Sequence, residues 1–183
     1  MLKISSFSTA LKLGAFGLLA SVLIACTSAK TEDDVYCPEV LVVEDTDELT
    51  RFRSGEGRDI TDILLELDLT RAGGICEVND DNIRVFLNIK MLASRGPALK
   101  SNEAEIGLII AITDLEGKLI APAPIGHRNL PIDLVFPENQ SSISYRELVM
   151  VEIPRAEDQP SDEFNIYVSL AMTPAEYEYN KNK

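Results

Sequence analysis

Beyond residue 37 apolar and polar side chains alternate with a period of two, the spacing of strands that bury one face. The clearest run is 83–93. Ile83, Val85, Leu87, Ile89 and Met91 share one side there, and Arg84, Asn88 and Lys90 take the other. Residues 40–43 form a short β-branched run that predicts the first strand, followed by an acidic turn over 45–48. Residues 49–53 receive no assignment, and 54–59, with Gly55 and Gly57, read as a loop with unusual backbone angles. Residues 60–69 predict a strand, because Leu65, Leu67 and Leu69 alternate with Glu66 and Asp68. Helix competes for this leucine-rich run, but Gly73-Gly74 reads as a stop, and 75–78 as a separate short strand. Residues 105–113 are almost wholly apolar and suit a central strand, with a hairpin turn at 114–117 and a return over 118–121. Further strands are expected over 130–136, with Pro131 at an edge or strand start, over 142–153 with a bulge near Arg146, and over 164–172. Thr173-Pro174-Ala175-Glu176 has the form of a helix start, with a capping threonine, a first-turn proline and a glutamate three residues on.

Eight or nine strands without a long amphipathic helix predict an all-β fold, an antiparallel β-sandwich over residues 37–183 with a short C-terminal helix. An immunoglobulin- or fibronectin-like topology is the first choice, and a small β-barrel of lipocalin type the alternative.

The amino-terminal region follows different rules. Lys3 and Lys12 precede an apolar run over 13–25 that is shorter than the ~20 residues a membrane-spanning helix needs, so it reads as a secretory signal. It ends in Leu23-Ile24-Ala25-Cys26, which resembles the lipobox of bacterial lipoproteins. The resemblance implies a signal peptide over 1–25, cleavage before Cys26, a diacylglycerol thioether on its sulfur and an acyl group such as palmitate on its new amino terminus. Several acyl chains hold a protein firmly on a bilayer. Thr27 stands where inner-membrane lipoproteins often carry Asp, which leans toward the periplasmic face of the outer membrane. Residues 26–36 become the lipidated cysteine and a polar tether. Once Cys26 carries lipid, Cys37 and Cys76 remain. In an oxidising compartment they are expected to pair, closing a loop of about 40 residues for roughly 4 kcal/mol on the chain-entropy model. Two buried thiols are the alternative.

Charge narrows the partners. The chain carries 17 Lys and Arg against 30 Asp and Glu. Removing residues 1–25 takes away Lys3 and Lys12 and no acid, leaving 15 against 30 and a net charge of −15. Such a surface disfavours nucleic acid and anionic lipid head groups, and favours cationic partners. The expected partners are the membrane, through the anchor, and another envelope protein or peptidoglycan.

No stretch carries a catalytic signature. His127, the sole histidine, is the one candidate base for a hydrolase, but no nucleophile motif accompanies it and a plain loop histidine is the simpler reading. A zinc site lacks ligands. Asn79-Asp80-Asp81-Asn82 and the acids at 158 and 162 offer oxygens for calcium, yet neither fits an EF-hand, and hairpin tips favour Asn and Asp anyway. No metal or cofactor is therefore expected, and the function is expected to be non-enzymatic. Arg51, Arg53 and Arg58 stand out in a chain poor in cations. With two glycines between them they are candidates for holding an anion or a partner; internal pairing with Asp59, Asp62 or Glu66 is the alternative. Tyr177 and Tyr179 either pack the helix or anchor a partner.

Several short pieces resemble an uncharacterised family of small alphaproteobacterial envelope lipoproteins. They are Cys37-Pro38, Leu49-Thr50-Arg51-Phe52, Gly57-Arg58-Asp59-Ile60-Thr61-Asp62, Gly74-Ile75-Cys76, Arg95-Gly96-Pro97, Thr173-Pro174 and Tyr179-Asn180. The resemblance implies a lipid-anchored periplasmic domain and brings no catalytic residues. Two functions follow: a scaffold binding another envelope component, or a module for a small ligand, glycan or lipid.

Overall fold

A computed structural model of the chain describes residues 36–55, 57–120 and 127–183. The expected signal peptide, Cys26 and all of the expected tether but residue 36 lie outside the described residues. Asp34–Lys183 forms one compact unit. Among the described residues it contains the apolar core and both members of a disulfide.

Among the described residues eight strands make two four-stranded sheets, β1-β8-β5-β6 and β2-β3-β4-β7. They are β1 (Glu39–Val42), β2 (Glu48–Phe52), β3 (Ile63–Val78), β4 (Asn82–Arg95), β5 (Glu103–Asp114), β6 (His127–Val135), β7 (Ser142–Pro154) and β8 (Phe164–Leu170). The helix α1 (Pro174–Lys181) follows, with Thr173 and Glu176 forming the expected capping box. The sheets remain separate, so the architecture is the sandwich and not the barrel. Neighbours β3-β4-β7 and β6-β5-β8 stand in the immunoglobulin order A-B-E and C′-C-F. β1 takes the place beyond β8, running parallel to it where a final antiparallel strand would lie.

The inner faces follow the alternation. Ile83, Val85, Leu87, Ile89 and Met91 of β4 meet Leu108, Ile110 and Ile112 of β5 and Ile166 and Val168 of β8, all essentially without exposure. Each such side chain contributes about 1.5–3 kcal/mol by leaving water.

Several local expectations need correcting. Residues 60–62 are not strand but a 3-10 turn capped by Asp59, so β3 begins at Ile63, and His127 stands in strand β6 rather than in a loop. Gly73-Gly74 does not stop a strand: β3 runs through it for 16 residues, because β4 is long enough to pair with Gly73 through Asn88 and with Gly74 through Leu87. Gly74 is required there, since a Cβ would meet the Phe86 carbonyl oxygen at 2.8 Å. Near Arg146 there is no bulge; β7 pairs with β4 in unbroken register from Ser142 to Pro154. The register shifts instead between Leu69 and Arg71. Finally, the return after the 114–117 turn is a single bridge, Thr113 to Leu119, rather than a strand, and residues 121–126 lie outside the described residues.

The 69–71 shift changes which side chains face out. Before it, the odd-numbered Leu65, Leu67 and Leu69 point into the core. Thr70 is the extra residue, and its hydroxyl donates to the Lys90 carbonyl at 3.1 Å. After it, the even-numbered Ala72 and Cys76 pack on the core, while Arg71 and Ile75 are exposed. A bulge re-aims side chains in just this way. It also turns Cys76 toward Cys37, with which it forms the expected disulfide, Cα atoms 5.6 Å apart. The bridge ties Cys37, two residues before β1 of one sheet, to β3 in the other.

Candidate functional site

The arginines singled out by sequence are all engaged within the fold. Arg51 leaves β2 on the side of α1, where its Nε donates to Glu176 Oε1 at 2.7 Å and its Nη1 to the Glu105 carbonyl at 2.7 Å. Burial pushes the Glu176 carboxyl up. Hydrogen bonds from Arg51 and Thr173, with the Arg51 charge, outweigh that and hold it below its ordinary value. Arg53 reaches Asp62 Oδ1 at 2.5 Å, and that carboxylate is almost fully buried. Arg58 lies over the Phe52 ring, 5.3 Å from its centroid, and donates to the carbonyls of Gly55 and Gly57. Gly55 adopts φ +130, the unusual backbone expected of this loop. Tyr179 packs edge-on against Phe52 at 4.8 Å, so this tyrosine fastens α1 to β2. Of the anticipated acidic partners only Asp62 pairs with one of these arginines; Glu176, 125 residues from Arg51, takes that one.

The other sequence candidates are scattered. His127 opens β6 opposite Ala111, and its side chain lies outside the described residues. The 79–82 turn satisfies its own groups: Asn79 Nδ2 donates to Asn82 Oδ1 at 2.8 Å, and Asn82 Nδ2 to Asp81 Oδ1 at 3.0 Å. Among the described residues no three His, Cys, Asp or Glu side chains converge as metal ligands, and no helix is long and apolar enough to cross a membrane.

Pairing of the long strands creates a feature that sequence alone does not display. On the outer face of β3, β4 and β7, register aligns residues into cross-strand rows. Glu77, Arg84 and Glu152 form one row, in which Arg84 pairs with Glu152 at 3.7 Å. Next come Ile75, Phe86 and Met150, then Gly73, Asn88 and Leu148, and then Arg71, Lys90 and Arg146. The two middle rows are unusually apolar for a solvated face. Ile75 is 72% exposed and Leu148 71%, with Phe86 and Met150 also open to water. A contiguous apolar patch of this kind marks a binding surface far more often than scattered exposed residues do. Gly73 hollows it: a Cβ there would meet nothing within 4 Å. The result is an open groove of about 610 Å³, walled by Ile75, Phe86, Leu148 and Met150 and closed at one end by Arg71 and Lys90.

Two flaws lie side by side at that end. Arg71, Lys90 and Arg146 are like charges on directly opposed positions, an arrangement that destabilises a sheet. Among the described residues none of these three side chains makes an ion pair or a hydrogen bond; Lys90 takes the Thr70 hydroxyl only through its backbone carbonyl. The next outward row carries Asp68 and Leu92. Burial raises the Asp68 carboxyl, then Glu48; the cation that opposes this is Lys183 rather than Lys90. The second flaw is Asn88, whose Oδ1 is buried at the groove floor without a partner, a defect that costs about 1–3 kcal/mol. Unsatisfied charge and an orphaned acceptor beside exposed apolar rows break the local rules of a stable sheet, and such breaches gather at functional sites. No family model, curated protein or solved structure matches this chain.

Proposed function

We propose that this protein is a lipid-anchored, non-enzymatic β-sandwich of the bacterial envelope that binds another envelope component through the outer face of β3, β4 and β7. The observation that carries the binding half is the pair of exposed apolar rows abutting an uncompensated cation row. In an acidic protein, three unpaired cations in line provide a local attraction for an anionic group that the rest of the surface repels. The envelope half rests on the charged start, the apolar run and Leu23-Ile24-Ala25-Cys26, with residues 27–36 as the tether from an outer-membrane anchor. The Cys37–Cys76 bridge suits that oxidising setting.

Two experiments test the reading. Globomycin treatment followed by mass spectrometry of the mature protein is expected to show an acylated Cys26; an amino terminus elsewhere, unmodified, overturns the anchor. A photo-cross-linking amino acid at position 148 in living cells is expected to yield one dominant adduct, and the same group at position 133 on the opposite sheet none. Equal labelling from both positions overturns the binding face. The groove also supports a ligand-binding module as a second reading, since it joins apolar walls to a few convergent polar groups.

A further inference from the structure

We infer that the groove on the outer face of β3, β4 and β7 holds a single-chain lipid with a phosphate head group, the head on Arg71, Lys90 and Arg146 and the acyl chain over Gly73 between the apolar walls. This rests on the reading of that face as the binding surface and specifies its occupant.

The argument starts from how polarity is segregated. A protein-binding patch has an apolar centre ringed by polar side chains on all sides. Here free charge stands at one end only. The row at the far end, Glu77, Arg84 and Glu152, sets one cation between two acids and is net negative, with Arg84 paired to Glu152. Net attraction for an anion is therefore confined to the Lys90 end, and the apolar stretch runs away from it in one direction. That is the polarity of an amphiphile.

Dimensions agree. From Lys90 to Phe86 is four strand residues, or ~13 Å at about 3.3 Å per residue. One leaflet of a bilayer occupies about half of the ~30 Å hydrocarbon core, so a single acyl chain has this reach. Across the strands, the three cations span two strand spacings, ~10 Å. Long side chains can converge across that width, but one carboxylate brings them only two oxygens and a single negative charge. A phosphate monoester is larger, carries close to two negative charges at neutral pH and offers three acceptor oxygens. Arg71 and Arg146 can each present a planar donor fork to it while Lys90 supplies a point charge between them. The absence of a side chain at Gly73 gives the chain its bed, with nothing within 4 Å of where a Cβ would stand.

The test uses the oxidised chain from residue 34 to 183, the compact unit that holds the whole core and the bridge. Dodecyl phosphate, laurate and dodecanol are titrated below their micelle-forming concentrations by isothermal calorimetry. Dodecyl phosphate is expected to bind at least ten-fold tighter than dodecanol and several-fold tighter than laurate. Lys90→Ala is expected to weaken it about ten-fold. Gly73→Leu, whose Cβ meets nothing within 4 Å, is expected to fill the groove and abolish binding while the melting temperature stays unchanged. Equal affinity for dodecyl phosphate and dodecanol, laurate binding as tightly as the phosphate, or undiminished binding by Gly73→Leu each overturns the inference. If no amphiphile binds while cross-linking from position 148 still gives its single adduct, the lipid falls and the binding face stands. If both fail, both fall.

Discussion

Two groups of three cations sit on this sandwich, and they are opposites. Arg51, Arg53 and Arg58 lie close in sequence, and every one is satisfied by the fold: by Glu176, by Asp62, and by an aromatic ring with two carbonyls. Arg71, Lys90 and Arg146 lie far apart in sequence, are brought abreast by strand register, and have no ion-pair partner among the described residues. Proximity along the chain marks the group that holds the molecule together. Proximity created by folding marks the group with charge to spare. Cations that already have partners stabilise; cations held together without them cost stability and can be expected to serve a ligand.

The contrast breaks most readily at Asp62. Arg53→Ala leaves that carboxylate nearly sealed from water without its counter-charge, and the expected loss is about 2–3 kcal/mol in a urea melt at neutral pH. A neutral result would put this group in the same class as the outer row. Arg51→Ala removes the bond to Glu176 and one to the Glu105 carbonyl, with an expected loss of about 2 kcal/mol and a freed C-terminal helix, visible as faster amide exchange over residues 174–181.

Acid probes the same contact. In the folded state the Glu176 carboxyl titrates below its ordinary value of 4.5. Its contribution is therefore complete above the unfolded value and disappears as pH falls through the lower folded one. Protection of the α1 amides, taken relative to the intrinsic exchange rate at each pH, should be flat from pH 7 to about 5 and fall only in the acid range below; Glu176→Gln should remove that fall. The smallest effect has the opposite sign. Lys90→Ala relieves repulsion from Arg71 and Arg146 and is expected to leave stability unchanged or raise it by up to about 1 kcal/mol. A loss beyond 1 kcal/mol would show that Lys90 belongs with the structural group.

Sequence reading reached the fold because strand alternation is local. The inward faces of β4 and β8 are legible residue by residue, as is the Thr173–Glu176 cap. It missed the outer groove for one identifiable reason. Leu65, Leu67 and Leu69 set a phase that, carried forward, sends Arg71, Gly73 and Ile75 into the core. One extra residue, Thr70, inverts that phase. Nothing in the Thr70-Arg71 dipeptide announces a bulge, and the glycine pair beyond suggests an ending rather than a continuation. Arg146 adds the third cation from 75 residues downstream of Arg71, through a register that only the folded sheets define. Phe86, on the polar side of the most regular strand, is the signal that was available: an aromatic where alternation calls for a polar residue.

The bridge between residue 37 and β3 also has a mechanical meaning. β1 is a four-residue ribbon at the rim of its sheet, and a pull on the amino-terminal end would peel it away one hydrogen bond at a time. The covalent link carries that load past the ribbon into a strand laced to its neighbour along 13 positions. Tension would thus enter a long antiparallel seam instead of a short rim strand, and the ribbon would be spared the pull.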